Sequence, residues 1–543
     1  MTSSRSAPVF ALALALSPGG TLAEHEHEHA HQAPEKFGRV HFATSCDAQV
    51  QPAFDRAVAL LHSFAYDTAA ATFAEVSAKD SACGIAQWGI AMTNLHIIWA
   101  PPTDAEFAAG RAAAQKAAAV GAKSARERDF IAAIGTYYQG DGVLHAARVA
   151  TYERAMAGVA ERNPDDHEAA IFHALSILGI AYNSPPDKTY ARQKEAARIL
   201  NGLLAVEPDH PGIAHYMIHS FDYPELAEMA LPAARAYAKI APSAPHALHM
   251  PSHIFTRLGM WKESIDSNIA SAQTAQAWVA KTHAGATSAE ALHAMDYLEY
   301  AYLQTGQDAK AREIVDGAAK ATTLEGGAST AGYALAAIPA RHALERHAWK
   351  DAAALTPQPA TFAWAKYPFA EAIVYFARAV GGARAGDLET ARQGVTRLTE
   401  IQAALKGQKG FDWATQVEVQ RRAAAAWLAH AEKKDSEAVA LLRSAADLED
   451  STDKHPVTPG SILPAREQLA DLLTEVGQPA AALAEYQTSL RSAPARLNSF
   501  DGAARAAERA GNTKEARAFH DRLVALCGGT VPARVASAMA TAR

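Results

Sequence analysis

The chain lacks the features that mark nucleic-acid-binding and membrane-spanning proteins. Its 51 Lys and Arg residues are outnumbered by 58 Asp and Glu residues, which gives a formal net charge of −7. No basic stripe with interleaved aromatic residues is present to follow a phosphate backbone, so nucleic acid is not an expected partner. No run reaches about 18 consecutive apolar residues, so no membrane-spanning helix is expected.

The signatures of several enzyme classes are also missing. The sequence contains no nucleophile elbow, glycine-rich phosphate loop, dinucleotide fingerprint or EF-hand calcium loop, and the helical pairs His215/His219 and His249/His253 lack the Glu after the first histidine that marks a zincin. These absences argue against a zincin protease, a serine hydrolase, a kinase, an NAD-dependent enzyme and an EF-hand protein. A metal-dependent enzyme of hydrolytic or oxidative type stays open as a hypothesis.

Cysteine is scarce, and the three cysteines form no Cys-x-x-Cys motif. Cys46 precedes the first helix of one predicted hairpin, and Cys83 precedes the first helix of the next. The outer ends of these two helices are expected to lie near each other. The sequence therefore predicts a Cys46–Cys83 disulfide, of the kind that persists in oxidising compartments. Cys527 is left as a half-buried structural thiol.

The N-terminal residues predict export. Residues 1–23 have the pattern of a signal peptide, with Arg5 in a short polar start, an apolar run over residues 7–16 and a small-residue cleavage site ending at Ala23. The mature protein is therefore expected to be periplasmic or secreted. Residues 24–40 follow as a predicted disordered tail rich in His and Glu, whose imidazoles could weakly capture Zn²⁺, Cu²⁺ or Ni²⁺.

The rest of the chain predicts an all-α fold. Alanine-rich segments carry apolar residues at three- and four-residue spacing almost from end to end, and no segment alternates with a period of two. A glycine followed five residues later by a small residue recurs at Gly259/Ser264, Gly306/Ala311, Gly386/Ala391, Gly477/Ala482 and Gly511/Ala516. This pattern resembles the turn inside a tetratricopeptide repeat hairpin, and the resemblance covers most of residues 45–525.

The resemblance implies helical hairpins stacked into a right-handed superhelix, an α-solenoid. We expect N-terminal repeats with a His-lined concave groove over residues 41–320 and an irregular helical connection over residues 321–370. C-terminal repeats, which could contact a protein partner, are expected over residues 371–543. The fold alone says little about function, because this scaffold serves many roles.

Two histidine pairs indicate where a metal-binding site is expected. His215/His219 and His249/His253 are each spaced i, i+4, and the second pair follows the first by 34 residues, the period of a tetratricopeptide repeat. Aligned helix starts place His293 at the same position of a later repeat. Because i and i+4 share a helix face, these five imidazoles are expected to form a column in the groove. Such a column suits a divalent transition metal, Zn or Cu first, with Fe, Ni or Co as alternatives.

Other residues are candidates for supporting roles in the same groove. Asp222 and Glu299 could act as a general base, a ligand or a group that orients a histidine, and Tyr297 could hydrogen-bond a bound ligand. Further candidates for lining the groove are His62, Trp88, Asn94, His96, His173 and Tyr216. For His62, His96 and His173 a packed or groove-wall role is the favoured interpretation.

Three functional hypotheses compete. The first is an exported metalloprotein that binds or transforms a small molecule at the histidines. The second is a scaffold that docks a peptide or protein in its groove, and the third is periplasmic metal storage or delivery. A peptide-binding groove normally offers Asn, Lys and Arg, whereas this one offers His and Tyr, which favours the metal site. Ordinary hydrogen-bonded histidines between packed helices are the alternative without a metal.

Overall fold

A computed structural model describes residues 35–408 and 410–535. The predicted signal peptide and residues 24–34 of the predicted tail lie outside the described residues, as do residues 536–543 of the last predicted repeats. Within the described residues, no helix is long and apolar enough to cross a membrane.

Helices make up nearly all of the regular structure. The α-helices are α1 (Gln51–His62), α2 (Tyr66–Lys79), α3 (Gly84–Thr93), α4 (Asp104–Val120), α5 (Ala125–Tyr138), α6 (His145–Arg162), α7 (His167–Tyr182), α8 (Ala191–Leu204), α9 (Pro211–Phe221), α10 (Leu231–Ile240), α11 (Pro245–His249), α12 (Pro251–Arg257), α13 (Trp261–Thr282), α14 (Ala289–Gln304), α15 (Asp308–Ala318), α16 (Ala328–Glu345), α17 (Trp349–Ala354), α18 (Pro368–Ala385), α19 (Leu388–Leu405), α20 (Trp413–Ala431), α21 (Asp435–Asp450), α22 (Ala465–Glu475), α23 (Pro479–Ser492), α24 (Leu497–Arg509) and α25 (Thr513–Leu526). Short 3₁₀-helices cover Ala48–Val50, Ala227–Ala230 and Trp364–Lys366, and two-residue parallel strands pair Thr287–Ser288 with Leu324–Glu325.

Each helix packs mainly on its neighbours along the chain, as stacked hairpins require. The predicted all-α, tetratricopeptide-like α-solenoid is confirmed. The glycine turns behave as expected. Gly386 ends α18 with a φ of 84°, a left-handed conformation that glycine adopts without steric cost, and Ala391 is fully buried against α18.

The hydrophobic core has two main parts that follow the order of the chain. One extends from Phe37 to Phe255 and the other from Ala289 to Val535. A smaller cluster is formed by Trp261, Tyr300 and Ala301, and the Trp261 indole N–H donates to the Ala495 carbonyl at 2.9 Å. The histidine-bearing helices α9, α11, α12 and α14 lie where the two parts meet.

Two segments differ in detail from the expected organisation. Residues 36–40, assigned above to the tail, pack on the repeats, where the Lys36 amide donates to Ser243 Oγ at 2.9 Å and Phe37 is buried. Residues 321–370, expected to be an irregular connection, contain the 18-residue helix α16 and the short helix α17. The longest part without α-helix is residues 355–367, where prolines at 357 and 359 lack the backbone donor that a helix needs.

The structure contains the Cys46–Cys83 disulfide, which links the segment before α1 to the turn before α3 across a separation of 37 residues. Replacing both cysteines with serine is expected to lower the free energy of unfolding by about 2–4 kcal/mol, because the open chain regains loop entropy when unfolded. Denaturant unfolding measures the change. Serine at Cys527, a free and half-buried thiol, is the matched control, and an equal effect of the two changes would contradict the prediction.

Candidate metal centre

Six buried histidines converge in two groups of three. The first triad is His215, His219 and His246, and the second triad is His249, His253 and His293; within each triad the candidate ligand atoms all lie within 4.8 Å of one another. The first triad joins α9 to α11, and the second joins α11 and α12 to α14. Every one of the six side chains is at most 7 % exposed.

Local sequence explains how these side chains are aimed. Pro211 opens α9, and the i, i+4 spacing then places His215 and His219 on one face of that helix. Pro251 lies at the start of α12, directly after Met250 interrupts the helical run. Met250 nevertheless keeps helical φ and ψ values of −52° and −36°, so the i, i+4 spacing places His249 and His253 on one face, which contacts His293 of α14.

In the first triad the three Nε2 atoms point at one another. His215 Nε2 lies 3.1 Å from His219 Nε2 and 3.1 Å from His246 Nε2. On its other side, the His215 ring donates its Nδ1–H to the His62 carbonyl at 2.6 Å. A carbonyl can only accept, so His215 Nε2 carries no proton in the neutral ring and presents one lone pair to two neighbours.

The second triad has a similar arrangement, and here hydrogen bonds determine the proton positions of two rings. His249 Nδ1–H donates to Asn268 Oδ1 at 2.7 Å, and His253 Nδ1–H donates to Asp222 Oδ2 at 2.9 Å. The amide of Asn268 is oriented by its own donation to the Ser264 carbonyl at 2.8 Å. Both rings therefore have bare Nε2 atoms, and these atoms face each other at 3.1 Å.

Two lone pairs at this distance repel unless a cation or a proton lies between them. A tetrahedral ion bound at 2.0–2.1 Å holds its nitrogen ligands about 3.3 Å apart, close to the observed separations. His293 points to the same conclusion, because neither of its ring nitrogens has a hydrogen-bond partner although the side chain is buried. His215, His249 and His253 also donate their Nδ1–H to an outer acceptor, as ligating histidines in metal sites typically do.

A third cluster nearby shows what satisfied histidines look like in this fold. His62 Nε2 and His210 Nε2 each lie 2.9 Å from a different oxygen of Glu168. The Gly212 amide donates to His210 Nδ1 at 3.1 Å, and the Tyr216 hydroxyl lies 2.9 Å from His62 Nδ1. Every ring nitrogen here has a partner, so this cluster needs no metal.

Burial keeps the imidazoles of the triads neutral. Desolvation, followed by repulsion from the neighbouring histidines, lowers the pKa values of His215, His219, His246, His249 and His293 well below the ordinary range. Burial also lowers the pKa of His253, although hydrogen bonding to Asp222 opposes the shift. Neutral imidazole is the form that binds a metal ion.

Asp222 orients a histidine and lies outside the ligand set. Its two oxygens accept from His253 Nδ1 at 2.9 Å, Arg257 Nε at 2.8 Å and Lys454 Nζ at 3.0 Å. Burial opposes ionisation, but the two cations hold the pKa of this carboxyl well below its usual value. With its oxygens engaged in this way, Asp222 is poorly placed to act as the general base considered above.

The triads are enclosed, whereas the sequence predicted an open groove. The ring of Phe64 packs on the first triad, with its centroid 4.4 Å from that of His215. Residues 451–464, the connection between α21 and α22, cover the second triad. Lys454 reaches Asp222, and the Tyr297 hydroxyl donates to the carbonyls of Pro456 and Thr458 at 3.0 and 2.9 Å.

The structure divides the predicted histidine column. His215 and His249 occupy equivalent repeat positions but belong to different triads, and His246, absent from the predicted set, completes the first. His246 precedes His249 by one helical turn, which is the signal that could have indicated it. No comparable sequence pattern indicates Asn268 and Lys454, which come from other parts of the chain.

The remaining candidates do not belong to either triad. Glu299 is buried beside Arg341 and His342, and burial raises its pKa well above the ordinary value. Tyr297 lies against His253 but donates to the covering segment, so it fixes that segment. The side chains predicted to line the groove have other partners: Trp88 packs in the core on Phe42 and Phe172, Asn94 caps α3, His96 packs on Tyr66, His173 pairs with Glu153, and His62 and Tyr216 belong to the Glu168 cluster.

Comparisons with known proteins add little to this picture. No family model matches the chain, and no curated protein matches it. Human IFIT1, in a dimer with PPP-AAAA, is 11% identical over 87% of this chain and 89% of its own, with a TM-score of 0.37. The APC/C hetero-tetramer Cut9-Hcn1 contains a chain that is 11% identical over 91% of this chain and 84% of its own, with a TM-score of 0.33. Likenesses this distant carry no argument about binding or activity.

Proposed function

We propose that this is an exported helical-repeat metalloprotein in which each triad binds one transition metal ion, Zn or Cu first. The observation that carries the proposal is the approach of His249 Nε2 and His253 Nε2 to 3.1 Å while both rings donate through Nδ1. A bound cation turns this repulsive contact into a pair of ligand bonds.

The number of ligands supports a reactive or ligand-binding site. Three histidines leave an open coordination position on the metal, as in catalytic zinc sites, whereas structural sites normally use four protein ligands. Because the triads are buried, that position suits water or a small molecule. Small-molecule binding at the metal is therefore the second part of the proposal.

The enclosure of the triads weighs against the two other hypotheses. A storage or delivery protein must exchange its ion readily, but these ligands are at most 7 % exposed. A peptide-docking surface needs a free groove, whereas residues 451–464 of this chain cover the second triad. The Cys46–Cys83 disulfide supports the proposed export, because such bonds persist in oxidising compartments.

Elemental analysis of untagged protein after dialysis tests the proposal. We expect two transition metal ions per chain, and none after His215, His219, His249 and His253 are replaced with alanine. His173→Ala, which alters a histidine paired with Glu153, is the matched control and should keep both ions. A wild-type protein without stoichiometric metal would overturn the proposal, as would loss of all metal on deleting residues 24–31.

A further inference from the structure

We infer that the two triads form one paired site whose full occupancy selects monovalent copper over a divalent ion. The inference depends on the proposed function, because it requires that the triads bind metal. It adds two properties that the proposed function does not contain. The first is an energetic coupling between the two ions, and the second is the charge of the preferred ion.

The first argument is proximity. His246 belongs to the first triad and His249 to the second, yet both are on α11, one helical turn apart. Their ring centroids are 6.3 Å apart. An ion bound at 2.0–2.1 Å from a ring nitrogen lies about 3 Å from the ring centroid, so the two ions can be no more than about 13 Å apart.

The second argument is the charge of the surroundings. All six ligands are imidazoles, and imidazole binds a metal ion as the neutral ring, so the ligands offset none of the metal charge. The carboxylate that contacts a ligand, Asp222, is already paired with Arg257 and Lys454. These three side chains together carry one net positive charge. Among the described residues no other carboxylate contacts a triad histidine, so the groups next to the two ions supply no net negative charge.

By Coulomb's law, the repulsion between the two bound ions depends on their valence. The repulsion between two divalent ions is four times that between two monovalent ions at the same separation. At about 13 Å and an effective dielectric constant of about 20, the first divalent ion weakens binding of the second by several thousand-fold, against about ten-fold for monovalent ions. Imidazole nitrogen is a good ligand for copper, so copper(I) is the physiological ion that meets both conditions.

The coordination position that three histidines leave open on each ion also favours monovalent over divalent ions. A divalent pair could lower its charge by releasing a proton from a bound water or by acquiring anions from solution. The enclosure by Phe64 and residues 451–464 restricts their entry. Copper(I) is stable with three ligands and does not need them. The paired site is thus expected to fill completely with copper(I) in a buffer without coordinating anions.

The experiment is an anaerobic competition titration with a chromophoric chelator, using Cu⁺ and Zn²⁺ separately. The wild type is compared with two single-triad variants, His215→Ala/His219→Ala and His249→Ala/His253→Ala, whose folding is checked by circular dichroism. The chelator removes ions from weak sites, including those of the His-rich tail. Each variant is expected to bind one ion of either metal.

For the wild type, we expect two Cu⁺ ions whose affinities differ by about ten-fold. We expect one tight Zn²⁺ ion and a second that binds at least about a hundred-fold more weakly than in the single-triad variants. Two Zn²⁺ ions bound with the affinities of the variants would overturn the pairing while leaving the proposed function intact. If neither variant binds either metal, the proposed function itself fails.

Discussion

Replacing His246 with alanine is expected to remove one of the two metal ions and leave the other in place. The substitution reduces the first triad to His215 and His219, which cannot by themselves enclose an ion. Loss of an outer-shell partner typically costs 10–100-fold in metal affinity, so loss of a direct ligand should cost at least about a hundred-fold. Metal content after dialysis should fall from two ions per chain to one.

The control for this change is His210→Ala. His210 is also a buried histidine, but it pairs with Glu168 in the cluster whose ring nitrogens all have partners. It should therefore keep both ions, provided that circular dichroism shows a folded protein. Equal metal loss in the two variants would mean that the metal depends on general packing, and retention of two ions by His246→Ala would remove His246 from the ligand set.

Asparagine at Asp222 is expected to destabilise the metal-free protein by about 3–5 kcal/mol. The substitution keeps the shape of the side chain but leaves Arg257 and Lys454 without the carboxylate that compensates them, and Asp222 is only 5 % exposed. Denaturant unfolding measures the loss. Metal affinity at the second triad should fall by about 10–100-fold as well, because His253 loses the anion that orients its ring.

An exposed ion pair supplies the control for Asp222. Asp266 pairs with Lys262 on the outer face of α13, and both side chains are more than half exposed. Asp266→Asn should leave both the unfolding free energy and the metal content unchanged, since exposed pairs contribute little. If Asp222→Asn unfolds like the wild type and binds metal as tightly, Asp222 neither stabilises the fold nor positions His253.

The helical hairpins were predictable because their signals are local. Apolar spacing predicts the helices, and a glycine such as Gly386 predicts where one helix must turn back on the next. The disulfide followed from the same register, since Cys46 and Cys83 were assigned to equivalent ends of neighbouring hairpins. The packed residues 36–40 could not be recognised in the same way, because they form no periodic element and depend on Ser243 and Asp209.

The candidate site was predictable only in part. The i, i+4 spacing identified His215 with His219 and His249 with His253, since helix geometry alone places each pair on one face. The repeat register suggested one continuous column, but it does not determine how far each short helix is rotated. His246 and His249 both precede Pro251 on α11 and are three residues apart, so they point about 60° apart around that helix, and His246 reaches the first triad while His249 reaches the second.

The sequence by itself determined that His215 with His219, and His249 with His253, share a helix face in successive repeats, because helix period and repeat period are properties of the chain. The tertiary structure decided how those residues are shared between two triads and what surrounds them. The distances between nitrogens, the outer acceptors on Asn268 and Asp222, and the cover provided by residues 451–464 all depend on contacts between distant parts of the chain. Such contacts arise from packing, which leaves no periodic trace in the sequence.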